Sequence, residues 1–307
     1  MTGRELHRPA GSLAAGPWSI ELTAERAGWS WSSLRVLALD AGGSLTVETG
    51  EEEMLALPLE GSWTVTVAAV ADGHEGEKGA ERFELAGRDS VFTGPTDFAY
   101  VGRRRRMTLS SPSGGRLAMP GAPARRDLPA RYSGAGNGPI ELRGTGSCSR
   151  QVNNLCLPST FEADRLIVCE VLTPAANWSS YPPHKHDENR PGECELEEIY
   201  YFEVAGGPGG PGMGYQRVYG TPDRPVDLIA EVRSGDVVLV PHGWHGPSMA
   251  APGYDLYYLN VMAGPSERAW LICDDPAHAW VRDTWVGQDV DRRLPFYSAA
   301  AGDRGGP

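Results

Sequence analysis

Glycine and proline occur so often in this chain that long helices are excluded. The 307 residues include 39 glycines and 25 prolines. Inside a helix, a glycine costs about 1 kcal/mol and a proline about 3 kcal/mol relative to alanine, which rules out a helix bundle. Apolar residues make up 40% of the chain, and this is enough for a packed core. We therefore expect many short strands joined by turns.

The charge balance and the cysteines exclude several classes of protein. The chain has 28 Lys and Arg against 40 Asp and Glu, a formal net charge of −12, whereas binding a nucleic acid needs a clustered surplus of positive charge. The run Arg103–Arg106 is interpreted as a solvated turn. No uncharged apolar stretch reaches the roughly 18 residues of a transmembrane helix, so no membrane partner is expected. Five cysteines without a CxxC pair predict a cytoplasmic protein rather than a disulfide scaffold.

Apolar runs bounded by turn signals predict strands in both halves of the chain. The first set comprises Leu34–Leu39, Met54–Leu59, Trp63–Val70 and Met107–Leu109. The second set comprises Arg165–Leu172, Glu198–Val204, Tyr215–Tyr219, Val226–Val232, Asp236–Val240 and Leu256–Val261. Strands at this spacing, without helical patterns between them, predict an all-β protein built from antiparallel sandwiches or barrels.

Three segments do not follow this strand pattern. Ser111–Pro139 is rich in Pro, Gly, Ala and Arg and has little periodicity, which predicts a linker. Gly206–Gly214 lacks the lysine and the strand–loop–helix context of a phosphate-binding loop, and it is interpreted as a flexible flap between strands. Pro265–Asp274 is the one stretch that we expect to be helical.

Histidines are concentrated in the second half, where they form two close pairs. His184 and His186 are two residues apart, so on an extended strand both imidazoles point to the same face. Glu198 begins the next predicted strand, and His245 follows the turn in GDVVLVPHGWH. Three imidazoles and a carboxylate are a ligand set for a divalent metal with one position left open. An HxH pair alone is more often a surface or hydrogen-bonded pair, but the order of the motifs favours a metal site.

This order of motifs resembles that of the cupin superfamily, in which a metal lies inside a small double-stranded β-barrel. Longer segments make the resemblance more specific. NWSSYPPHKHD, LEEIYYFEV, GDVVLVPHGWH and GSCSRQVNN resemble the 5-deoxy-glucuronate isomerase family of bacterial inositol catabolism, which is related to the 4-deoxy-threo-hexosulose-uronate ketol-isomerases. The resemblance covers nearly the whole chain. It implies a bicupin of two jelly-roll barrels, with an N-terminal cupin barrel without metal in residues 1–137 and a metal-binding C-terminal barrel in residues 138–307.

The resemblance implies four metal ligands, His184, His186, Glu198 and His245. Glu198 is chosen over Glu197 because it directly precedes the aromatic strand, as the ligand of the family does. The corresponding HxH positions of the first half are Thr49 and Glu51, so we expect no metal there. One divalent ion, Zn²⁺ or Mn²⁺, suits such a site.

The resemblance also implies an activity. This is the aldose–ketose isomerisation of 5-deoxy-D-glucuronate to 2-deoxy-5-keto-D-gluconate, with a small-molecule uronate as substrate and without nicotinamide or flavin. We further expect a homo-oligomer. Two alternatives stay open: a cupin metal-dependent dioxygenase, because His₃Glu also supports iron and oxygen chemistry, and a non-catalytic sugar-binding bicupin.

Five further residues are candidates for binding the substrate or for catalysis. Arg150 and Arg217 are candidates for holding the carboxylate of the substrate, and Arg217 is also a catalytic candidate, although each residue could instead form a surface ion pair. Glu170 stands alone in an apolar strand, where burial would raise its pKa toward that of a useful base; the alternative is a buried salt bridge to a core arginine. Tyr258, as a catalytic residue, and Asn260, as a binding residue, alternate on one strand and are expected to line the barrel.

Overall fold

The computed structural model describes residues 3–69 and 79–297. Val70, the last residue of the predicted strand Trp63–Val70, lies outside the described residues. The elements before residue 137 are α1 (Gly3–Leu6), β1 (His7–Arg8), β2 (Trp18–Leu22), α2 (Ala24–Ala27), β3 (Ser33–Leu39), β4 (Ser44–Glu48), β5 (Glu52–Ala69), β6 (Glu81–Arg88), β7 (Phe98–Val101), β8 (Arg105–Ser110), β9 (Gly115–Pro123) and β10 (Arg131–Ser133).

The second half continues this strand-rich pattern. Its strands are β11 (Ile140–Arg143), β12 (Arg150–Cys156), β13 (Ile167–Thr173), β14 (Trp178–Ser179), β15 (His184–Lys185), β16 (Asp187–Arg190), β17 (Glu193–Glu195), β18 (Glu197–Val204), β19 (Gly214–Tyr219), β20 (Asp227–Val232), β21 (Val237–Val240), β22 (Trp244–Ala250), β23 (Leu256–Ala263) and β24 (Cys273–Asp274). Two short 3₁₀ helices cover Gly146–Cys148 and Ala279–Trp285. The predicted all-β class is confirmed.

The long strand β5 organises the first half. Its beginning pairs with β7 and β9, and its end pairs with β6 and β8, always antiparallel. Successive side chains of a strand point to opposite faces. Met54 and Ala56 accordingly belong to the core of the first barrel, whereas Leu55 and Leu57 belong to a second core shared with the C-terminal half. The two halves are therefore joined by packed apolar sheet faces.

Two sheets form the second half. One has the order β1-β21-β18-β23-β13-β12-β11, and the other has β20-β19-β22-β15-β24 with β14 paired to β22. The N-terminal strand β1 pairs with β21, so this strand belongs to a sheet of the second half although it precedes residue 137 in the chain. One face of the seven-stranded sheet, with Glu198 and Tyr258, lines the interior of the barrel, and the other face, with Glu170, meets Arg88 of the first half. Burial of both faces explains why β13, β18 and β23 are continuous apolar runs.

The predicted linker Ser111–Pro139 is wrong, because it contains the central strand β9. This strand pairs with β3 on one side and with β5 on the other. Leu117 and Met119 enter the core of the first barrel, and Ala118 and Ala122 enter the shared core. Prolines and small residues concealed a strand that is buried on both faces.

The helix predicted over Pro265–Asp274 is also wrong, because side-chain contacts hold this segment open. The guanidinium of Arg268 donates to the backbone carbonyls of Leu166, Phe161 and Cys156 at 2.8, 2.7 and 2.7 Å. The chain then enters the short strand β24. All five cysteines are free thiols. Within residues 3–69 and 79–297, no helix has the length and apolar character needed to cross a bilayer.

Candidate metal centre

Three histidines and one glutamate converge where the two sheets of the C-terminal half face each other. His184 on β15 lies opposite His245 on β22 in the strand register. One ring nitrogen each of His184, His186 and His245 lie within 4.8 Å of one another. Glu198, from the facing sheet, places its Oε2 3.1 Å from His186 Nε2 and 3.0 Å from His245 Nε2. The structure thus brings the four predicted ligands together.

Each imidazole is oriented by a backbone carbonyl. His186 Nδ1 donates to the carbonyl of Leu196 at 3.3 Å, and His245 Nδ1 donates to that of Gly243 at 3.2 Å. His184 is hydrogen-bonded to the backbone of Pro182, which has no N–H and can only accept. A neutral imidazole that donates through one nitrogen carries a lone pair on the other. Metal-ligating histidines are held in the same way.

The donor set fits a divalent metal. His245 Nε2 is buried and has no hydrogen-bond partner, although it lies 3.0 Å from the Glu198 carboxylate. A lone pair and a carboxylate are both acceptors, so such an approach is favourable only with a cation or a proton between them. Imidazole nitrogen and carboxylate oxygen are ligands that Zn²⁺ and Mn²⁺ accept.

Glu198 and His184 are in the protonation states that suit a metal, whereas the pKa of His186 is lowered by burial but raised overall by its hydrogen bond to Glu198 and the charge of that carboxylate. Burial raises the pKa of Glu198, but the facing imidazoles of His245 and His186 outweigh it and lower that pKa to about 2. Burial, together with the neighbouring His245 and His186, lowers the pKa of His184 well below its usual value. Glu198 is therefore ionised and His184 neutral near pH 7, which are the forms that bind metal.

Two residues that directly adjoin ligands, Lys185 and Glu197, face away from the centre, as strand alternation requires. Lys185 binds Asp187 at 2.6 Å and Glu193 at 2.7 Å, and so ties down the β16–β17 hairpin between the HxH pair and Glu198. The Glu197 carboxylate accepts hydrogen bonds from the backbone N–H groups of three consecutive residues of the first half, Ser30, Trp31 and Ser32. Both neighbours fasten the ligand strands to surrounding structure.

Gly246 directly follows His245, and a side chain there should disturb the centre. It has φ +101°, and a Cβ atom would overlap the carbonyl oxygen of Ser180. We expect Gly246→Ala to lower the free energy of unfolding by about 2–4 kcal/mol, since overpacking and left-handed backbone both contribute, and to reduce bound metal. Chemical unfolding and metal content per chain would measure this.

Gly253→Ala is the matched control for this prediction. Gly253 has φ +91°, but no atom lies within 4 Å of the position of its Cβ. The Gly253→Ala variant therefore has the backbone strain of a positive φ without a steric clash, and it should retain its metal. Equal metal content in the Gly246→Ala and wild-type proteins would contradict the prediction.

A cavity of about 450 Å³ lies beside the metal centre. Its wall includes the ligands His184 and Glu198 together with Arg150, Tyr258 and Asn260. The last three are residues that the sequence proposed, and the structure places all of them at the cavity. The side-chain nitrogen of Asn260 is buried without a hydrogen-bond partner. The Gly206–Gly214 segment joins β18 to β19 and does not contribute to this wall.

Arg150 is a buried cation without a carboxylate partner among the described residues. Its side chain donates only to the carbonyls of Cys148 at 3.1 Å and Tyr181 at 3.4 Å. Burial, and the nearby positive charges of Arg143 and Arg282, lower its pKa to about 10, so it is still charged near pH 7. Arg150 can therefore accept an anion in the cavity.

Sequence reasoning missed the two other arginines of the cavity wall, Arg143 and Arg282. Arg143 pairs with Glu141 at 2.8 Å, and Arg282 pairs with Asp274 at 2.8 Å through Nη2. Each also stacks on a tryptophan, Trp270 at 4.9 Å and Trp285 at 5.3 Å respectively. Arg143 lies on an edge strand and Arg282 in a short 3₁₀ helix, where no periodic signal distinguishes them.

Glu170 is not in the cavity, which corrects its assignment as a candidate base. It lies on the outer face of β13, fully buried, and forms an ion pair with Arg88 of the first half. It also accepts hydrogen bonds from Asn153 at 3.0 Å and Tyr257 at 2.8 Å. Glu170 therefore forms the buried salt bridge to a core arginine that the sequence left as the alternative to a catalytic base.

This ion pair predicts a large effect on stability. Glu170→Gln should lower the free energy of unfolding by about 3–5 kcal/mol, because Arg88 would be left buried without a counter-charge. The double variant R88M/E170L should be considerably more stable than Glu170→Gln. Chemical unfolding measures both effects, and metal content should not change. A single variant as stable as the wild type would contradict this account.

Arg217 also lies away from the cavity, because its side chain leaves the outer face of β19. It forms an ion pair with Asp227 at 2.5 Å and lies over the Tyr219 ring at 5.1 Å. Its partner is largely exposed, so this is the surface ion pair that the sequence left as an alternative. Its assignments as a catalytic and a carboxylate-binding residue are corrected accordingly.

Two tandem antiparallel β-barrels with a histidine–glutamate cluster in the second define the bicupin class. The structure resembles oxalate decarboxylase from Bacillus subtilis with a TM-score of 0.58 at 12% identity, over 83% of this chain and 74% of the other, which shows the shared fold. The family model of the KduI/IolB family matches residues 6–281. The chain belongs to the KduI/IolB family.

Individual relatives agree with this membership. The chain is 40% identical over 270 residues to a 5-deoxy-glucuronate isomerase of Geobacillus kaustophilus, covering 86% of this chain and 91% of the relative. It is 40% identical over 266 residues to the 5-deoxy-glucuronate isomerase of Bacillus subtilis strain 168, covering 85% and 91%. The crystal structure of an IolB-like protein from Salmonella typhimurium superposes with a TM-score of 0.80 at 33% identity, over 90% of this chain and 99% of the other.

Proposed function

We propose that this chain is a metal-dependent aldose–ketose isomerase that converts 5-deoxy-D-glucuronate to 2-deoxy-5-keto-D-gluconate in myo-inositol catabolism. The main observation is that the histidine–glutamate cluster and the unpaired cation of Arg150 border one cavity. A uronate offers a carbonyl with a neighbouring hydroxyl at one end and a carboxylate at the other. The names of the 40% identical relatives support the same reaction.

The ligands would hold one divalent ion, Zn²⁺ or Mn²⁺, on His184, His186, Glu198 and His245. When bound, such an ion supplies Lewis-acid polarisation of the carbonyl. Both metals accept these donors. The ligand rings are already turned inward by their carbonyl partners, so little reorganisation accompanies binding.

The side chains of the cavity would bind and orient the open-chain substrate. Arg150 holds the carboxylate of the substrate. Its buried guanidinium has little access to water, and a charge-assisted hydrogen bond to the carboxylate takes the place of that hydration. The unpartnered amide nitrogen of Asn260 donates to a substrate oxygen. Tyr258 presents its ring and hydroxyl to the same space. Together they bind a small acidic sugar inside an acidic protein.

Oxygen dependence separates this proposal from the dioxygenase alternative. Metal-loaded protein should consume 5-deoxy-D-glucuronate at the same rate under nitrogen and in air, without oxygen uptake. Consumption that requires oxygen would favour the dioxygenase, and saturable binding without turnover would favour a sugar-binding protein. The homo-oligomer and the cytoplasmic location stay predictions, which sedimentation and cell fractionation would test.

A further inference from the structure

Ser180 combines an unusual backbone with a place in the cavity wall. It is one of three non-glycine residues with positive φ, at +47°, among the described residues. Such residues persist where the surrounding structure forces them, and they cluster at functional sites. Here the backbone of Gly246 lies so close to the Ser180 carbonyl that a Cβ atom would not fit. The residue after the ligand His245 therefore packs directly against Ser180.

This backbone places the Ser180 hydroxyl between two tyrosine hydroxyls. Ser180 Oγ lies 3.1 Å from the Tyr200 hydroxyl and 3.2 Å from the Tyr258 hydroxyl. All three residues line the cavity together with His184 and Glu198. The Tyr258 hydroxyl also lies 2.9 Å from Ser179 Oγ, so its single proton has two directions open to it, toward Ser179 or along the line of the other two hydroxyls. We call Ser180, Tyr200 and Tyr258 the hydroxyl chain.

The hydroxyls of the chain are neutral donors and acceptors. Each of the three hydroxyls carries one proton and two acceptor lone pairs. A neutral hydroxyl can accept one hydrogen bond while donating another, as transfer along a chain of oxygens requires.

The proposed isomerisation moves two hydrogens, one between neighbouring carbons and one between their oxygens. We propose that the hydroxyl chain carries the oxygen-bound proton from the hydroxyl oxygen to the former carbonyl oxygen of the substrate. Resting on the proposed function, this inference assigns the oxygen-bound proton a route and leaves the carbon-bound hydrogen aside.

The transfer balances. One tyrosine hydroxyl gives its proton to the former carbonyl oxygen as a new O–H bond forms there. Ser180 Oγ–H replaces that proton, and the second tyrosine replaces the proton of Ser180. The second tyrosine recovers its own from the substrate hydroxyl, whose O–H bond breaks. All three side chains end neutral, and no oxidant or further reactant is consumed.

Ser180→Gly separates the hydroxyl from the backbone. Glycine adopts φ near +47° without strain, so this variant should fold with at least the thermal stability of the wild type. If the hydroxyl carries a proton, kcat should fall about 10²- to 10⁴-fold while KM changes less than about threefold and metal content is retained. A role of the Ser180 backbone alone would leave kcat unchanged in this variant.

Tyr258→Phe and Tyr257→Phe form a matched pair on β23. Tyr258 faces the cavity, whereas Tyr257 faces Glu170 on the other side of the sheet. Tyr258→Phe should lose kcat as Ser180→Gly does, and the double variant S180G/Y258F should lose little more, because both interrupt one chain. Tyr257→Phe should keep its kcat.

The test measures kcat, KM, metal content and melting temperature of all variants with 5-deoxy-D-glucuronate. Slow, stable and metal-loaded Ser180→Gly and Tyr258→Phe proteins, beside an active Tyr257→Phe protein, are the expected result. If the wild type turns over substrate and the Ser180→Gly protein has the same kcat, the proton-transfer role of the hydroxyl chain is wrong and the proposed function stands. A Ser180→Gly protein that loses its metal also overturns it, because Ser180 would then act through the ligands. A metal-loaded wild type without turnover overturns the proposed function and the chain with it.

Discussion

His245→Ala should abolish turnover of the proposed isomerase and leave its barrels folded. The substitution removes one hydrogen bond, from His245 Nδ1 to the Gly243 carbonyl. The other ring nitrogen, Nε2, has no hydrogen-bond partner in the protein, so the fold loses little. The variant removes one of four metal ligands. A Lewis acid contributes several kcal/mol to such a reaction, so the rate should fall by at least about a thousandfold.

His242→Ala is the matched control for this experiment. It lies three residues before His245, at the same turn, but outside the histidine cluster. Metal content, circular dichroism and kcat of both variants would be compared with the wild type. The control should keep its metal and its rate. A His245→Ala protein that turns over substrate without bound metal would contradict the metal mechanism.

Arg150→Met should weaken the use of a uronate and stabilise the fold. Losing one charge-assisted contact costs about 1.5–3 kcal/mol, or roughly 10- to 150-fold in kcat/KM. Most of the loss should appear in KM, because the carboxylate is held equally in the ground and transition states. The free energy of unfolding should rise, since the variant removes a buried charge without a carboxylate partner.

Arg217→Met provides the comparison, because Arg217 lies on the outer face of its strand in a surface ion pair. Its kcat/KM should match that of the wild type. Steady-state kinetics and chemical unfolding of the two variants measure both effects. An Arg150→Met protein with unchanged kcat/KM would remove Arg150 from the carboxylate site.

The predicted metal ligands were accessible from sequence because their geometry is mostly local. An HxH pair on an extended strand points both rings to one face, and the turn that carries His245 lies directly after a strand. Two nearby strands then need only pair, as His184 and His245 do. The choice between Glu197 and Glu198 came from the resemblance, and the structure places these two carboxylates on opposite faces of one strand.

Two of the errors, the role of Glu170 and the missed strand β9, come from sheets that are buried on both faces. Glu170 and Tyr258 both lie on fully buried strands, so an apolar run could not tell which side chain enters the cavity and which meets the first half. The partner of Glu170 is Arg88, 82 residues earlier in the chain, and no local pattern announces that contact. Strand β9 was missed for a similar reason, because one of its faces packs in the core that is shared with the other half. The sequence therefore did not show which face of each buried strand is directed toward the cavity.

The most direct test is to incubate metal-loaded protein with 5-deoxy-D-glucuronate under nitrogen and to identify the product by NMR. We predict formation of 2-deoxy-5-keto-D-gluconate, its loss after chelation and its recovery when Zn²⁺ or Mn²⁺ is restored. A folded protein with a full complement of metal that leaves the substrate unchanged would contradict the account.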